Sequence, residues 1–139
     1  MKSKKSKEGY IIRLEKGDKV IESLVGFCRK KKIICGFFNG IGASSYTKLM
    51  HYDSGAKKYS SRIIKSPLEI VSLSGNVTLM DNDQYLHCHA CLSDKNMKVY
   101  AGHLKEAIIS ATCEILLITS DASVKRRYDD KIGLNLMDL

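Results

Sequence analysis

Only one stretch of this 139-residue chain repeats its apolar residues at the spacing of an α-helix. In GDKVIESLVGFCRKKK, residues 17–32, Asp18 stands where an N-cap is expected, and basic residues follow at the carboxyl end, where cations favour the helix dipole. Most of the remaining chain is β-branched or alternating in polarity and is divided by turn residues, as is typical of strands. One helix and many strands predict an α+β fold around a mostly antiparallel sheet.

The strand-like segments extend over nearly the whole chain. They are residues 10–14, 33–43, 45–53, 58–64, 67–80, 85–94, 98–102 and 107–119. The glycine-rich stretch at residues 39–45 predicts a tight bend between two strands, and one helical turn near Glu106 is predicted to begin the last strand. The charged and then apolar segment 123–139 is expected to dock on the body of the protein.

The length of the chain suits a single domain, which we expect to span residues 9–139, with residues 1–8 as a disordered basic tail. Five cysteines, an odd number, favour reduced thiols over a disulfide framework. No apolar run approaches the roughly 18–20 residues of a membrane span, and no signal-peptide pattern follows the basic N-terminus. The sequence therefore predicts a cytoplasmic protein with no membrane partner.

The net charge is +8, and the cations are clustered. The two clusters that we consider candidate nucleic-acid contacts are Lys2, Lys4, Lys5 and Lys7, and Arg29, Lys30, Lys31 and Lys32. Such clusters suit a polyanion such as DNA, bound without sequence preference, which would also favour association with the nucleoid. The alternative is that they form an ordinary solvated surface, since no aromatic residues interleave with them as on a base-stacking platform.

Three of the four histidines fall within LHCHACLSDKNMKVYAGH, residues 86–103. On a strand, His87 and His89 point to the same face and lie about 6.6 Å apart. If Lys95, Asn96 and Met97 form a three-residue loop, the returning strand places His103 directly opposite His89, on that same face. A two-residue loop would place His103 on the other face.

Three imidazoles on one face can bind a metal ion and leave a coordination position open, as in catalytic zinc sites. We therefore predict one Zn²⁺ per chain at His87, His89 and His103, although other divalent metals also accept imidazole ligands. Cys91 shares the predicted face and is either a fourth ligand or a packing residue. The alternative for the histidines is that they are surface residues or hydrogen-bonded residues of the core.

Glu69 lies in PLEIVSLSG, on the predicted strand face that also carries Val71 and Leu73. A carboxylate among apolar side chains is costly unless it is paired. We consider Glu69 a candidate catalytic residue for proton transfer beside the metal. The alternatives are that it supports the metal ligands or that it is the buried partner of a cation such as Arg62, and we favour this structural pairing.

Several segments together resemble the plant and prokaryote conserved (PPC) domain, which accompanies AT-hooks in plant nuclear proteins and stands alone in prokaryotes. They are IGASSYTKLMHYD, PLEIVSLSGNVTL, LHCHACLSDKNMKVYAGHL and ATCEILLI. The resemblance implies an α+β fold, a homotrimer and a metal, usually zinc, at the three histidines. The chain contains no Arg-Gly-Arg-Pro core of an AT-hook, so it resembles the stand-alone prokaryotic type.

Two main hypotheses of function follow. The first is a zinc-binding, homotrimeric PPC-domain protein that associates with DNA or with a protein partner. The second is a zinc-dependent lyase or hydrolase acting on a small oxygen-rich substrate, because the architecture is also similar to that of acetolactate decarboxylase, which holds zinc through a His-x-His pair and a third histidine. A trimeric interaction module with a purely structural metal is a further alternative.

Overall fold

The protein, described here by a computed structural model of residues 1–139, forms nine strands and one helix. The elements are β1 (Lys2–Lys5), β2 (Gly9–Glu15), α1 (Val20–Lys31), β3 (Cys35–Asp53), β4 (Lys58–Ile64), β5 (Leu68–Met80), β6 (Asp83–Ser93), β7 (Val99–Ser120), β8 (Lys125–Asp129) and β9 (Leu134–Asp138). All strands belong to one sheet, and apart from a single parallel bridge between β5 and β8 the paired strands are antiparallel. The predicted α+β class is confirmed.

The helix covers one face of this sheet, and the hydrophobic core lies between the two. Val20, Leu24 and Phe27 of α1 belong to the same buried cluster as Leu14 of β2 and Ile115 of β7. Side chains that alternate with the core residues along each strand point the other way, to what we call the outer face. No helix in the structure is long and apolar enough to cross a membrane.

The start of α1 differs from the prediction. Lys19, not Asp18, occupies the N-cap position, and it makes no side-chain capping bond. Asp18 instead accepts the backbone N–H of Glu15 at 2.8 Å. The free N–H groups of Ile21 and Glu22 donate to the carboxylate of Glu106 on β7, so the cap is supplied by a residue 85 positions away from Ile21.

The glycine-rich stretch does not form the predicted bend, because β3 runs as one strand of 19 residues. Its glycines serve close packing instead. A Cβ atom would lie 2.5 Å from the carbonyl oxygen of Glu114 at Gly40 and 2.4 Å from that of Thr112 at Gly42. Glycine is therefore required at these positions because the β7 backbone lies against them.

The N-terminal segment is not the predicted disordered tail. Residues Lys2–Lys5 pair with β2, so that Lys2 lies opposite Arg13 and Lys5 opposite Tyr10. All four residues of β1 are exposed, which is why a Lys/Ser alternation can occupy this edge of the sheet. The backbone of β2 supplies hydrogen-bonding groups that the side-chain pattern alone does not reveal.

The end of the chain docks on the body, as predicted, in the form of the β8–β9 hairpin. The predicted helical turn near Glu106 is absent, because β7 is continuous over 22 residues. A register shift opposite Lys48 and Leu49 accommodates an additional residue of β7 at this point. The bulge changes the alternation of side chains, so Glu106 can reach the helix.

Candidate metal centre

The turn between β6 and β7 sets the position of the histidines. The N–H of Asp94 donates to the carbonyl of Lys98 at 3.0 Å, and the N–H of Met97 donates to the carbonyl of Asp94 at 2.9 Å. Lys95, Asn96 and Met97 thus form the three-residue loop, with Met97 in the left-handed region at φ 61°. His89 then lies directly opposite His103 in the register, as predicted.

The three imidazoles converge at one point on the outer face. His87 Nε2 and His89 Nε2 lie 3.2 Å apart, and one ring nitrogen from each of His87, His89 and His103 falls within 4.8 Å of the others. Zinc bound to nitrogen at ~2.0–2.1 Å in tetrahedral geometry requires nitrogens about 3.4 Å apart. The donor set therefore fits such an ion after small side-chain rotations, and the group contains no cysteine or carboxylate ligand.

Two of the three histidines, His87 and His103, have lowered pKa values, which favour the neutral form that binds metals. Burial lowers the pKa of His103 to about 4, with smaller contributions from His87, His89 and Lys105. Burial also lowers the pKa of His87, assisted by the positive charge of Arg126 and by His89. Neutral imidazole has a lone pair to donate, so these two ligands need not lose a proton near neutral pH when a metal binds.

The β8–β9 hairpin and aromatic side chains surround the histidines. The ring of Tyr59 lies 5.7 Å from that of His103, and the guanidinium of Arg126 lies 5.0 Å from the ring centre of Tyr85. The tip of the hairpin is fixed to the β3–β4 turn, where Tyr52 donates to the carbonyl of Ile132 at 2.6 Å. The histidines with Tyr59, Tyr85 and Arg126 form what we call the histidine recess.

Glu69 does not belong to this recess within one chain. It lies opposite Ser93 in the register, whereas Ser74, on the same strand, lies opposite His89. Five residues of strand separate Glu69 from Ser74, which corresponds to roughly 16 Å. Glu69 is exposed and forms no ion pair, so the predicted pairing with Arg62 is wrong.

The predicted strand face around Glu69 is also different. Val71 is 54% exposed, while Leu73 is completely buried. A register shift between Ile70 and Ser72 interrupts the alternation, so Leu73 turns into the core instead of sharing the face of Glu69. Glu69 lines an outer groove together with Val71 and Glu114, at a distance from the histidines.

The structure brings some of the candidate nucleic-acid contacts together and separates others. Lys5 lies opposite Tyr10, and the ammonium of Lys31 lies 6.0 Å from the centre of the same ring. Lys2 instead pairs with Glu15 at 3.4 Å. The eight cations are all exposed: Lys2, Lys4, Lys5, Lys7, Arg29, Lys30, Lys31 and Lys32. Tyr10 thus marks the place where the two predicted basic clusters meet.

Two residues of the recess, Arg126 and Tyr59, could not be predicted from the sequence. Arg126 stands in a run of three basic residues, which has the appearance of a solvated surface. Tyr59 lies on β4, which reaches the histidines only through the sheet. Tyr85 lies on β6 two residues before His87, so strand alternation predicts that it shares the face of the histidines. No local pattern shows that the C-terminal hairpin crosses the outer face, so this part of the site depends on tertiary structure.

The fold and the recess together define a small α+β protein with a three-histidine cluster on an antiparallel hairpin. The sequence model of the Plants and Prokaryotes Conserved (PCC) domain, the family abbreviated PPC above, matches residues 1–121. The chain belongs to this family. No curated protein matches it.

Solved structures support the same family. A "putative DNA-binding protein" of Bacteroides thetaiotaomicron is 30% identical, with a TM-score of 0.96, over 99% of this chain and 96% of that one. A metal-containing protein of Archaeoglobus fulgidus is 32% identical, with a TM-score of 0.86, over 98% of each chain.

A more distant structural likeness confirms the architecture alone. A Staphylococcus aureus protein described as similar to alpha-acetolactate decarboxylase has 10% identity and a TM-score of 0.57, over 86% of this chain and 56% of that one. The predicted architectural similarity to acetolactate decarboxylase is thus confirmed. This degree of identity carries no information about activity.

Proposed function

We propose that this protein is a metal-binding member of its family, in which His87, His89 and His103 hold one zinc ion per chain. The observation that carries the proposal is the convergence of three ring nitrogens within 4.8 Å on the outer face. The A. fulgidus relative, which is described as metal-containing, supports it. Zinc is preferred because it suits three imidazole ligands, while cobalt, nickel, copper and iron are alternative occupants.

Elemental analysis of the purified, chelator-washed and zinc-reloaded protein tests this proposal. We expect about one zinc per chain in the wild type and less than a tenth of that in His89→Ala. His51→Ala is the matched control, because His51 is exposed on β3 and does not belong to the three-histidine group. Equal zinc content in all three proteins would contradict the assignment of the ligands.

We further propose that the protein is a homotrimer. An exposed apolar surface on the outer face supports assembly. We call it the apolar end, and it consists of Ile11, Phe37, Ile41, Val71, Leu116 and Ile118, which are between 44% and 61% exposed. A contiguous aliphatic surface of this kind is typical of an interface between subunits.

DNA association is the second part of the proposal, with the cytoplasm, including the nucleoid, as its location. Its supports are the net charge of +8, the meeting of Lys5 and Lys31 around Tyr10, and the description of the B. thetaiotaomicron relative. The one helix, α1, is packed on the core, so no helix is free to enter a groove of DNA. We therefore expect contacts with phosphates, without sequence preference.

Gel shifts across a salt series test the DNA contact. We expect affinity to fall steeply with salt, and the slope of log K against log salt to decrease by about two in the double variant Lys5→Glu, Lys31→Glu. The control is Lys65→Glu, Lys95→Glu, which makes the same charge change at exposed positions elsewhere. No shift at low salt, or the same effect in both variants, would contradict the proposal.

A zinc-dependent lyase or hydrolase is the alternative function, favoured by the fact that only three protein ligands converge. The metal would supply a Lewis acid, able to polarise a carbonyl or activate a water. Glu69 remains our candidate for proton transfer. Because Glu69 lies roughly 16 Å along β5 from the residue opposite His89, a neighbouring subunit would have to supply it.

The behaviour of the metal distinguishes this alternative from a structural role. Turnover of a small hydroxy- or oxo-compound that is lost in Glu69→Gln, with zinc retained, would support the enzyme. Loss of the trimer on chelation, without any ligand binding to the zinc-loaded protein, would support a structural metal.

A further inference from the structure

Arg126 is held in the histidine recess by neutral partners only. Its Nε donates to Thr78 Oγ1 at 2.9 Å, one Nη donates to the carbonyl of Asn135 at 2.6 Å, and the other donates to Asn76 Oδ1 at 2.9 Å. These three bonds fix the plane of the guanidinium over the ring of Tyr85. A guanidinium has five N–H donors, so each Nη keeps one further N–H, and the pair forms a fork.

The charge of Arg126 has no counter-ion. No carboxylate lies within 4.0 Å of its nitrogens, whereas the neighbouring Arg127 pairs with Asp138 at 3.1 Å. Burial is the main influence on the Arg126 guanidinium and lowers its pKa. A half-buried cation without an anion is costly, and a divalent metal at the nearby histidines would add further positive charge.

The strand register places Arg126 beside the histidines. Asn76, which accepts from Arg126, lies directly opposite His87, and Tyr85 lies two residues before His87 on the same face. One ligand can therefore contact the recess and the guanidinium fork together.

We infer that the histidine recess binds a small oxyanion, a carboxylate or a phosphate, whose charge is neutralised by Arg126. The part of this inference that concerns a ligand next to the metal depends on the proposed zinc site, while the pairing with Arg126 does not. The ligand's oxygens accept from the two remaining N–H groups of the guanidinium. This assigns a substrate or effector class to the recess: small molecules with at least one anionic group.

A purely structural role for Arg126 would not require a charge. Its three acceptors are a hydroxyl, a carbonyl and an amide oxygen, and they could equally be satisfied by water or by a neutral donor. The residue lies in the β8–β9 hairpin, outside residues 1–121 that match the family model.

Titration of the cobalt-loaded protein with acetate, and separately with inorganic phosphate, tests the inference. Binding is followed by the visible absorption of Co²⁺ and by calorimetry at constant ionic strength. We expect Arg126→Gln to weaken binding of the preferred anion at least tenfold, and Arg126→Lys to show an intermediate loss because it keeps the charge without the fork. Arg127→Gln, which removes the same charge from an exposed position, should bind like the wild type.

The same calorimetric titration is made with metal-free protein, and thermal unfolding checks that each variant is folded. If Arg126→Gln is unfolded, the comparison of Arg126→Lys with the wild type decides. Failure to bind cobalt would contradict the metal site, yet a loss of anion binding in metal-free Arg126→Gln would still support the oxyanion site. Stoichiometric cobalt with equal anion affinity in the wild type, Arg126→Gln and Arg126→Lys would overturn the inference.

Discussion

Two regions of the outer face have opposite chemistry, although they are neighbours in the same sheet, where Phe37 lies opposite Asn76 and Asn76 lies opposite His87. In the histidine recess, imidazoles, a guanidinium and phenol rings gather beside the β8–β9 hairpin. The apolar end presents aliphatic and aromatic side chains without cover, among them Phe37, which is 61% exposed. Because α1 already covers the core, neither region is needed to bury the hydrophobic centre of a single chain.

This difference shows how one face can serve two purposes. The apolar end has the character of an interface, and the recess has the character of a binding site. Strand β7 contributes to both, with His103 in the recess and with Leu116 and Ile118 in the apolar end. Assembly and ligand binding are therefore expected to be separable by mutation, since all three histidines come from the same chain.

The largest effect is expected from a charge placed in the apolar end. Phe37→Asp should convert the trimer to monomers at micromolar concentration, because a carboxylate would be buried between subunits without a partner. Analytical ultracentrifugation measures the change. Val99→Asp, at a position 58% exposed outside the apolar end, is the control and should remain assembled. A Phe37→Asp protein that still forms trimers would place the interface elsewhere.

A smaller effect is expected from a change in the packing of β3 against β7. At Gly42 of β3, a Cβ would lie 2.6 Å from the Cα of Cys113. We expect Gly42→Ala to reduce the free energy of unfolding by about 1–3 kcal/mol, because the strands must separate slightly. Urea unfolding measures this.

The matched control is Gly26→Ala in α1, where nothing lies within 4 Å of the added atom. It should stabilise the protein by about 0.5–1 kcal/mol through helix propensity. If both variants were equally stable, the close approach of β7 to Gly42 would not be a constraint on the fold.

The two regions also differ in how far the sequence predicts them. The positions of His87, His89 and His103 follow from strand alternation and from the length of one loop, so the local sequence is sufficient to predict them. The strand pattern likewise predicts the α+β class. These features depend on residues within about 20 positions of each other, for which periodicity is informative.

Features that depend on distant strands were not predictable in this way. In the sequence, Gly40 and Gly42 are typical of a bend. Only the position of β7 shows that they allow close packing of two strands. Glu106 of β7 caps helix α1 by accepting the N–H of Ile21, which lies 85 residues earlier in the chain. The local N-cap rule instead predicts Asp18 as the cap. Leu73 leaves the face of Glu69 and Val71 because of a bulge, and Arg126 enters the recess only when the last hairpin folds across the sheet.

The smallest effect concerns the loop that positions His103. The Asp94 carboxylate accepts the backbone N–H groups of Asn96 and Lys98, and the first of these bonds is the main cause of its lowered pKa. Because the pKa of Asp94 is lower in the folded state, its charge stabilises the fold at pH values above the unfolded-state pKa. This stabilisation is lost as the pH falls through the folded-state pKa. Asp94→Asn should therefore be slightly less stable than the wild type at pH 7.

Urea midpoints measured from pH 7 down to about pH 2 test this expectation. The difference between wild type and Asp94→Asn should shrink below about pH 4 and disappear at the acid end. A constant difference across the series would mean that the Asp94 charge does not stabilise the loop. Zinc affinity at pH 7 should fall only slightly, because the backbone bonds of the turn remain.

Native mass spectrometry of the zinc-loaded protein measures assembly and metal content together, and so tests whether the zinc site and the subunit interface are independent. We predict a trimer with one zinc per chain, a metal-free trimer for His89→Ala, and a monomer that still carries zinc for Phe37→Asp. This pattern would show that the two regions of the outer face act separately. A wild-type protein without bound metal would contradict the zinc site, and a Phe37→Asp monomer that has lost its zinc would contradict its independence from the interface.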